Sequence, residues 1–448
     1  MVKKYTSYLV FLFLFFAISI KAQSKFKFYG VHKNVQSVRF QLINNLIVIP
    51  VDVNGSHLSF ILDTGVDKTI LFNLSQIDSV GLNNVKKITL QGLGDGEPVE
   101  ALLSQKNHIK IKNYISTNEN VYVILKDKFD ISGKMGVTIH GVIGYRLLKD
   151  AITEINYNTK KIYFHNPTTF KRPKCRKCEV FPLQFYRNKP YINAKVQLDT
   201  VGNVKTTVKL LIDTGGSDAI WLFENTKKAI KTPIRNFRDI LGEGFSGTIY
   251  GNRSRIKELS IGGFRVKNPT VSFLDTASTY YARQFKTRNG SIGGNILKRF
   301  KVWIDYQNKQ LTLKKSGSFR GGFEYNMSGV DVVYNGKILV KELENILVGE
   351  FERNQNRGRF STISFISNYQ FRFKPSYIVH EVLKDSPGGI AGLQKGDIIL
   401  KINGEQTHQF SLKQLLGKLQ ERHNKRVRMV VKRGFQVLKF EFRLLKKI

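Results

Sequence analysis

Cysteine is almost absent from this chain: its 448 residues hold two, Cys175 and Cys178. A tetrahedral metal site would need two further ligands, and none of the eight histidines stands at ligand spacing nearby. What is left is a local disulfide closing a small loop, or two free thiols. Long apolar runs are missing too. The run Leu9–Ile20 falls short of the roughly 20 residues that a membrane-spanning helix needs. It follows Met1-Val-Lys-Lys and precedes Lys21-Ala22-Gln23, the layout of a secretory signal peptide cut after Ala22. No cysteine follows it, so a lipid anchor has no attachment point there. The mature protein is therefore expected outside the cytoplasm: periplasmic, cell-surface or secreted. Acidic residues are outnumbered, 34 against 72 basic, for a formal charge of +38. That excess either attracts an anionic surface or is simply a basic exterior. The basic residues are scattered, with no run beyond Lys171–Lys177, so no specific nucleic acid is expected.

Several catalytic signatures are also missing. There is no His-Glu-x-x-His, Gly244-Phe-Ser-Gly247 lacks nucleophile-elbow spacing, and Gly92-x-Gly-x-Gly follows no βαβ unit. No convincing Ser, His and Asp set is visible. Neither a metal nor an organic cofactor is implied.

What the chain does have is length for two or three domains, 41% hydrophobic residues, 32 Phe and 18 Tyr, the composition of a folded, strand-rich protein. It also repeats itself. Phe60–Leu71 reads FILDTGVDKTIL and Leu210–Leu222 reads LLIDTGGSDAIWL, with aspartates 150 positions apart (213 minus 63). Each half then carries a second glycine unit: Gly141-Val-Ile-Gly144 begins 78 residues after Asp63, and Gly290-Ser-Ile-Gly293 begins 77 after Asp213. Matched spacing of this kind is an internal repeat. A strand ending in Asp-Thr-Gly delivers a carboxylate at a tight turn, where glycine admits another backbone and threonine can hydrogen-bond to a second copy. Two carboxylates about 3 Å apart cannot both ionise, so they share a proton and can act as base toward water and acid toward a leaving amine.

On these residues the chain resembles the aspartic peptidases, pepsin-like in its two lobes and retropepsin-like in Asp63-Thr-Gly-Val-Asp. The resemblance implies a mostly β, two-lobed fold with a pseudo-twofold axis and a dyad of Asp63 and Asp213. Thr64 and Thr214 would lock the two loops together. Gly65 and Gly215 would allow their approach, and Gly144 and Gly293 would let the backbone cross behind them. Its substrate would be a peptide or protein. Two glycine-dense stretches, Leu90–Pro98 and Leu241–Gly251, stand where the resemblance places substrate-covering flaps; a plain exposed turn is the other reading. Pepsin-like enzymes carry a flap tyrosine in the first lobe, and Leu90–Pro98 has none. Val66 and Gly216 replace the hydroxyl residue that in pepsins donates to the outer carboxylate oxygen. Fewer donors to the charged form leave the dyad with a higher proton affinity and predict activity toward mildly acidic or neutral pH.

The expected organisation is a signal peptide over 1–22, lobe 1 over 23–167, a linker over 168–189 holding both cysteines, lobe 2 over 190–315, and a C-terminal module with an N-terminal extension over 316–448. In that last stretch Asp385-Ser-Pro-Gly-Gly, Gly396-Asp397-Ile and Asn403-Gly404 resemble a PDZ domain of the bacterial protease-associated kind, an α+β fold. PDZ domains capture a peptide's C-terminal carboxylate in a backbone nest; the best candidate is Met327, Ser328, Gly329 and Val330, about 45 motif-free residues before Tyr377. A module that docks on the lobes and binds no peptide is the other reading. For the whole chain the two expectations are an exported aspartic endopeptidase and a non-enzymatic peptide-binding envelope scaffold that keeps the protease fold.

Overall fold

A computed structural model describes residues 25–448 except 32, 73–79, 91–98, 125–130, 173, 199–202, 245–246, 275–278, 281 and 352–360. The expected signal peptide and most of the first candidate flap, whose flanking strands pair at Leu90 with Val99, lie outside the described residues. The molecule is mostly β, built as two lobes with the same internal wiring and a C-terminal module.

The repeat seen in the sequence is a repeat of strand pairing. In lobe 1 the strand Ser56–Leu62 runs parallel to Gly141–Ile143, pairing Leu62 with Ile143. In lobe 2 Thr206–Ile212 runs parallel to Gly290–Ile292, pairing Ile212 with Ile292. Short strands Thr69–Leu71 and Ile220–Phe223 return antiparallel to the same glycine strands. Asn54-Gly55 makes the hairpin turn ahead of Asp63, both residues at positive φ (51° and 91°), the conformation that favours this pair.

A six-stranded antiparallel sheet joins the lobes. Its order is Val35–Arg39, Lys161–His165, Ile152–Asn156, Phe300–Asp305, Gln310–Lys315 and Cys178–Pro182. Here the stretch 168–189 departs from a plain linker. Cys178–Pro182 is the sheet's outer strand, and Gln184–Tyr186 pairs with the lobe 2 strand Lys189–Gln197. The charged run Lys171–Lys177 hides the short alternation that follows it. Cys175 and Cys178 are joined as a disulfide.

Most of residues 330–382 carry no sequence motif, and they form a long hairpin, Val330–Phe351 against Ser361–Val382. Its base belongs to the C-terminal core, where Val330, Val332, Tyr377 and Val379 are buried. Farther out Leu339 pairs with Phe373 and Leu343 with Tyr369, all solvent-exposed. The module is completed by the helix Leu412–Lys418, capped by Ser411 and Gln414, and the strands Ile398–Ile402, Arg426–Arg433 and Gln436–Arg443.

The Gly396-Asp397 turn is pinned by a fork. Arg433 donates to both carboxylate oxygens of Asp397 at 2.6 and 2.7 Å, and the Gln394 N–H donates to the same group at 2.9 Å. Asp397 is fully buried. Removing it leaves the Gln394 amide without its partner while Arg433, 31% exposed and still bonded to Gly392 O, turns to solvent, so Asp397→Ala is expected to destabilise the module by about 1 to 3 kcal/mol. Hydrogen exchange over 394–433 would show this, and unchanged protection would contradict it.

Arg299 anchors the connection into the module. It is 1% exposed and donates to the carbonyls of Asn295, Gly321 and Gly322, with its guanidinium 3.7 Å from the Phe323 ring centroid. The module also touches both lobes. Lys134 of lobe 1 lies 3.6 Å from Asp331, Gly136 lies under Leu412, and Phe237 of lobe 2 packs on Tyr325 with centroids 5.4 Å apart.

Candidate active site

Both aspartates leave the ends of the paired strands, and the backbone holds them in the same way. The Asp63 N–H donates to Ile143 O at 2.9 Å and the Asp213 N–H donates to Ile292 O at 2.9 Å. The Gly65 N–H then donates to Asp63 Oδ1 at 2.6 Å, and the Gly215 N–H to Asp213 Oδ1 at 3.1 Å. The two carboxyls face each other across the axis, Asp63 Oδ1 and Asp213 Oδ1 lying 3.1 and 3.4 Å from the place a Cβ on Gly65 would take.

Threonine provides the clasp. The Thr64 N–H donates to Thr214 Oγ1 at 3.0 Å, and the Thr214 N–H to Thr64 Oγ1 at 3.0 Å. Each hydroxyl passes its proton across the axis, Thr64 to Ile212 O at 2.5 Å and Thr214 to Leu62 O at 2.7 Å. Both threonines are buried, so each polar atom depends on the opposite lobe.

The glycines are demanded by contact. A Cβ on Gly215 would lie 2.2 Å from Asp63 Cγ. One on Gly144 would lie 1.9 Å from Asp63 O, and one on Gly293 2.3 Å from Asp218 O. No side chain fits at those separations. The eight dyad and loop residues expected from sequence are therefore brought together in one place.

Burial pushes Asp63 up to about 7, with the neighbouring Asp213 charge adding to it; the Gly65 N–H and Lys189 act against the rise. Asp213 is also raised by burial, opposed by Arg288, Lys189 and the amides of Gly215 and Gly216. The missing hydroxyl donors at Val66 and Gly216 predict a raised dyad. The first cause in the structure is desolvation.

The dyad opens into a cleft of about 1240 Å³ lined by both lobes and by the C-terminal module, including Gly329, Asp331 and Lys413. Two cations on its lobe 2 wall, Lys189 and Arg288, were not singled out from sequence. Nothing local marks them among 72 basic residues; only the strand register places them beside the dyad.

Of the four residues expected to form a carboxylate nest, Met327, Ser328 and Val330 have their amides engaged within the module, and Gly329 lines the cleft. Met327 N–H donates to Leu419 O at 3.0 Å, Ser328 N–H to Asn326 Oδ1 at 2.9 Å and Val330 N–H to Ser328 Oγ at 3.1 Å. Gly329 sits at φ +71° with its Cα against Ser386, where a Cβ would lie 2.0 Å from that residue's Cβ.

Two family matches agree with this geometry. Residues 49–147 and 196–296 match the aspartyl protease family, and residues 378–433 match the PDZ domain family. No curated protein matches the chain. Among solved structures, the aspartic proteinase from Irpex lacteus is similar at 14% identity and a TM-score of 0.42, covering 64% of this chain and 99% of its own. The two lobes are thus of the aspartyl protease family, and the module that follows them is a PDZ domain.

Proposed function

We propose that this protein is an exported aspartic endopeptidase. The observation that carries the reading is the pair of facing, half-buried carboxyls of Asp63 and Asp213 at the floor of the cleft, held by a reciprocal threonine clasp. With one proton between them, the dyad accepts a proton from water as it attacks the peptide carbonyl. It then returns a proton to the departing amine, which restores the starting state. The substrate is a peptide or protein segment long enough to cross the cleft, where it meets the PDZ module as well as both lobes. Export rests on the layout of residues 1–22.

The raised dyad sets the expected pH dependence. A carboxyl standing at about 7 holds the shared proton through the acidic range and releases it near neutrality. Cleavage of a denatured protein is therefore expected through mildly acidic pH up to about pH 7, with a fall above it and a loss in strong acid where both carboxyls are protonated, and inhibition by pepstatin. A profile confined below about pH 4 would reject the electrostatic argument. Absence of cleavage at any pH by a folded sample would favour the scaffold reading.

A further inference from the structure

Four matched places around the dyad strands differ in polarity between the lobes, although the lobes share their pairing, and of these Leu46, Val142, Lys189, Tyr191 and Arg288 line the cleft. Val48 pairs with Ile61 and Tyr191 with Leu211, so Val48 and Tyr191 occupy matching places, as do Leu46 and Lys189 two residues earlier. Gly141 matches Gly290 in the same way, which sets Ile139 against Arg288 and Val142 against Ser291. At all four places lobe 1 is apolar. At all four places lobe 2 is polar or cationic.

Arg288 is 5% exposed and built in. Its Nε donates to Gly290 O at 3.2 Å and its Nη2 to Ser291 Oγ at 2.8 Å, with the guanidinium 4.9 Å from the Phe223 ring centroid. Lys189 lines the same cleft. Among the described residues neither cation has a carboxylate within ion-pair distance. The acids farther along the wall are engaged, Asp218 and Asp239 both on Arg253 and Asp67 beside Lys68. Desolvated cations without a counter-charge are costly, and a ligand that brings one removes the cost. The count is simple. A dyad sharing one proton carries one negative charge, Lys189 and Arg288 carry two positive, and the remainder calls for one more anion.

We propose that Lys189 and Arg288 form a carboxylate-binding subsite beside the dyad, so that the preferred substrate presents an acidic group next to the bond that is cut and an apolar side chain toward lobe 1. The inference rests on the peptidase reading of the cleft. The carboxylate is an Asp or Glu side chain or the substrate's own chain end. Lys189 and Arg288 are substrate-binding residues here, and their pull on the dyad is secondary.

The test uses the whole protein at about pH 6, where glutamate is ionised and the dyad keeps its proton. Three uncleavable peptide analogues carry a hydroxyethylene group in place of the central amide: one with Glu beside it, one with Gln, and one with Gln and a free carboxyl terminus close by. Fluorescence anisotropy gives their affinities, and matching cleavable peptides give kcat/KM. A charge-assisted hydrogen bond corresponds to a preference of about 10- to 100-fold for one of the two carboxylates over Gln without it. The favoured compound identifies the source. In Lys189→Met that ratio falls toward one, and Arg288→Lys, which keeps the buried charge, retains part of it. Equal affinity for all three analogues overturns the subsite. So does a Lys189→Met protein whose pH profile shifts while its Glu preference stays intact, because that is dyad tuning alone. Binding preference without cleavage would leave the subsite standing and remove the peptidase reading.

Discussion

Asp63→Asn is expected to lower kcat/KM by on the order of 10⁴-fold, with the thermal midpoint at neutral pH unchanged or higher. The two halves of this result have one origin. The substituted amide would keep the volume and one acceptor for the Gly65 N–H, which donates at 2.6 Å in the parent, but it cannot exchange a proton with Asp213. Water would then lose its base. The stability sign follows from the raised titration. The folded carboxyl stands at about 7 and its ordinary value is 3.8. Folding therefore favours the protonated form, and the associated stability is fully present below about pH 4 and is lost as pH rises toward 7. A neutral side chain avoids that loss. Differential scanning calorimetry at about pH 7, beside peptide kinetics, checks both halves; an inactive variant with a much lower midpoint would make the aspartate structural.

The second large effect is expected far from the dyad, at Arg299→Met. This arginine is buried, and desolvation holds its guanidinium down to about 10, still protonated at neutral pH. Several carbonyls between Asn295 and Gly322 receive its protons, two of them weakly at 3.4 Å. Methionine fills much of the volume and supplies no donor. Leaving those carbonyls without partners costs about 3 kcal/mol or more, since each buried acceptor bears its own desolvation penalty. The loss falls on 316–323, the passage from lobe 2 to the PDZ module. Limited proteolysis should cut there and release the module, whereas the parent resists. An equal cutting rate in the two proteins would show that the passage is held by its neighbours instead.

The parts legible in sequence were those written twice or written locally. Asp63-Thr64-Gly65 and Asp213-Thr214-Gly215 recur with their glycine units at matched spacing, because two backbones meet too closely there for any other residue. What escaped depends on partners distant in sequence. Arg288 and Lys189 become a pair only through the register of Tyr191 with Leu211 and of Gly290 with Leu210. Arg299 is an arginine in a core, against the usual preference of its type for solvent. The hairpin strand Val330–Phe351 was hidden by its length: at 22 residues it exceeds the short strand template, and Lys341 and Glu342 interrupt its alternation. At the expected nest, residues 327–330, three amides are engaged within the module for a further reason. Sequence shows which residues can offer amides, and not whether Leu419, Asn326 and Ser328 have already taken them.

The sheet that joins the lobes also sets a clock. Ile152–Asn156 is bounded on one side by Lys161–His165, close behind it, and on the other by Phe300–Asp305. That second partner begins 144 residues later (300 minus 156). At roughly 5 to 20 residues per second, synthesis leaves the edge unpaired for on the order of ten seconds. During that interval every nascent copy displays the same open strand. The nearest substitute for the missing half is another unfinished chain on a neighbouring ribosome.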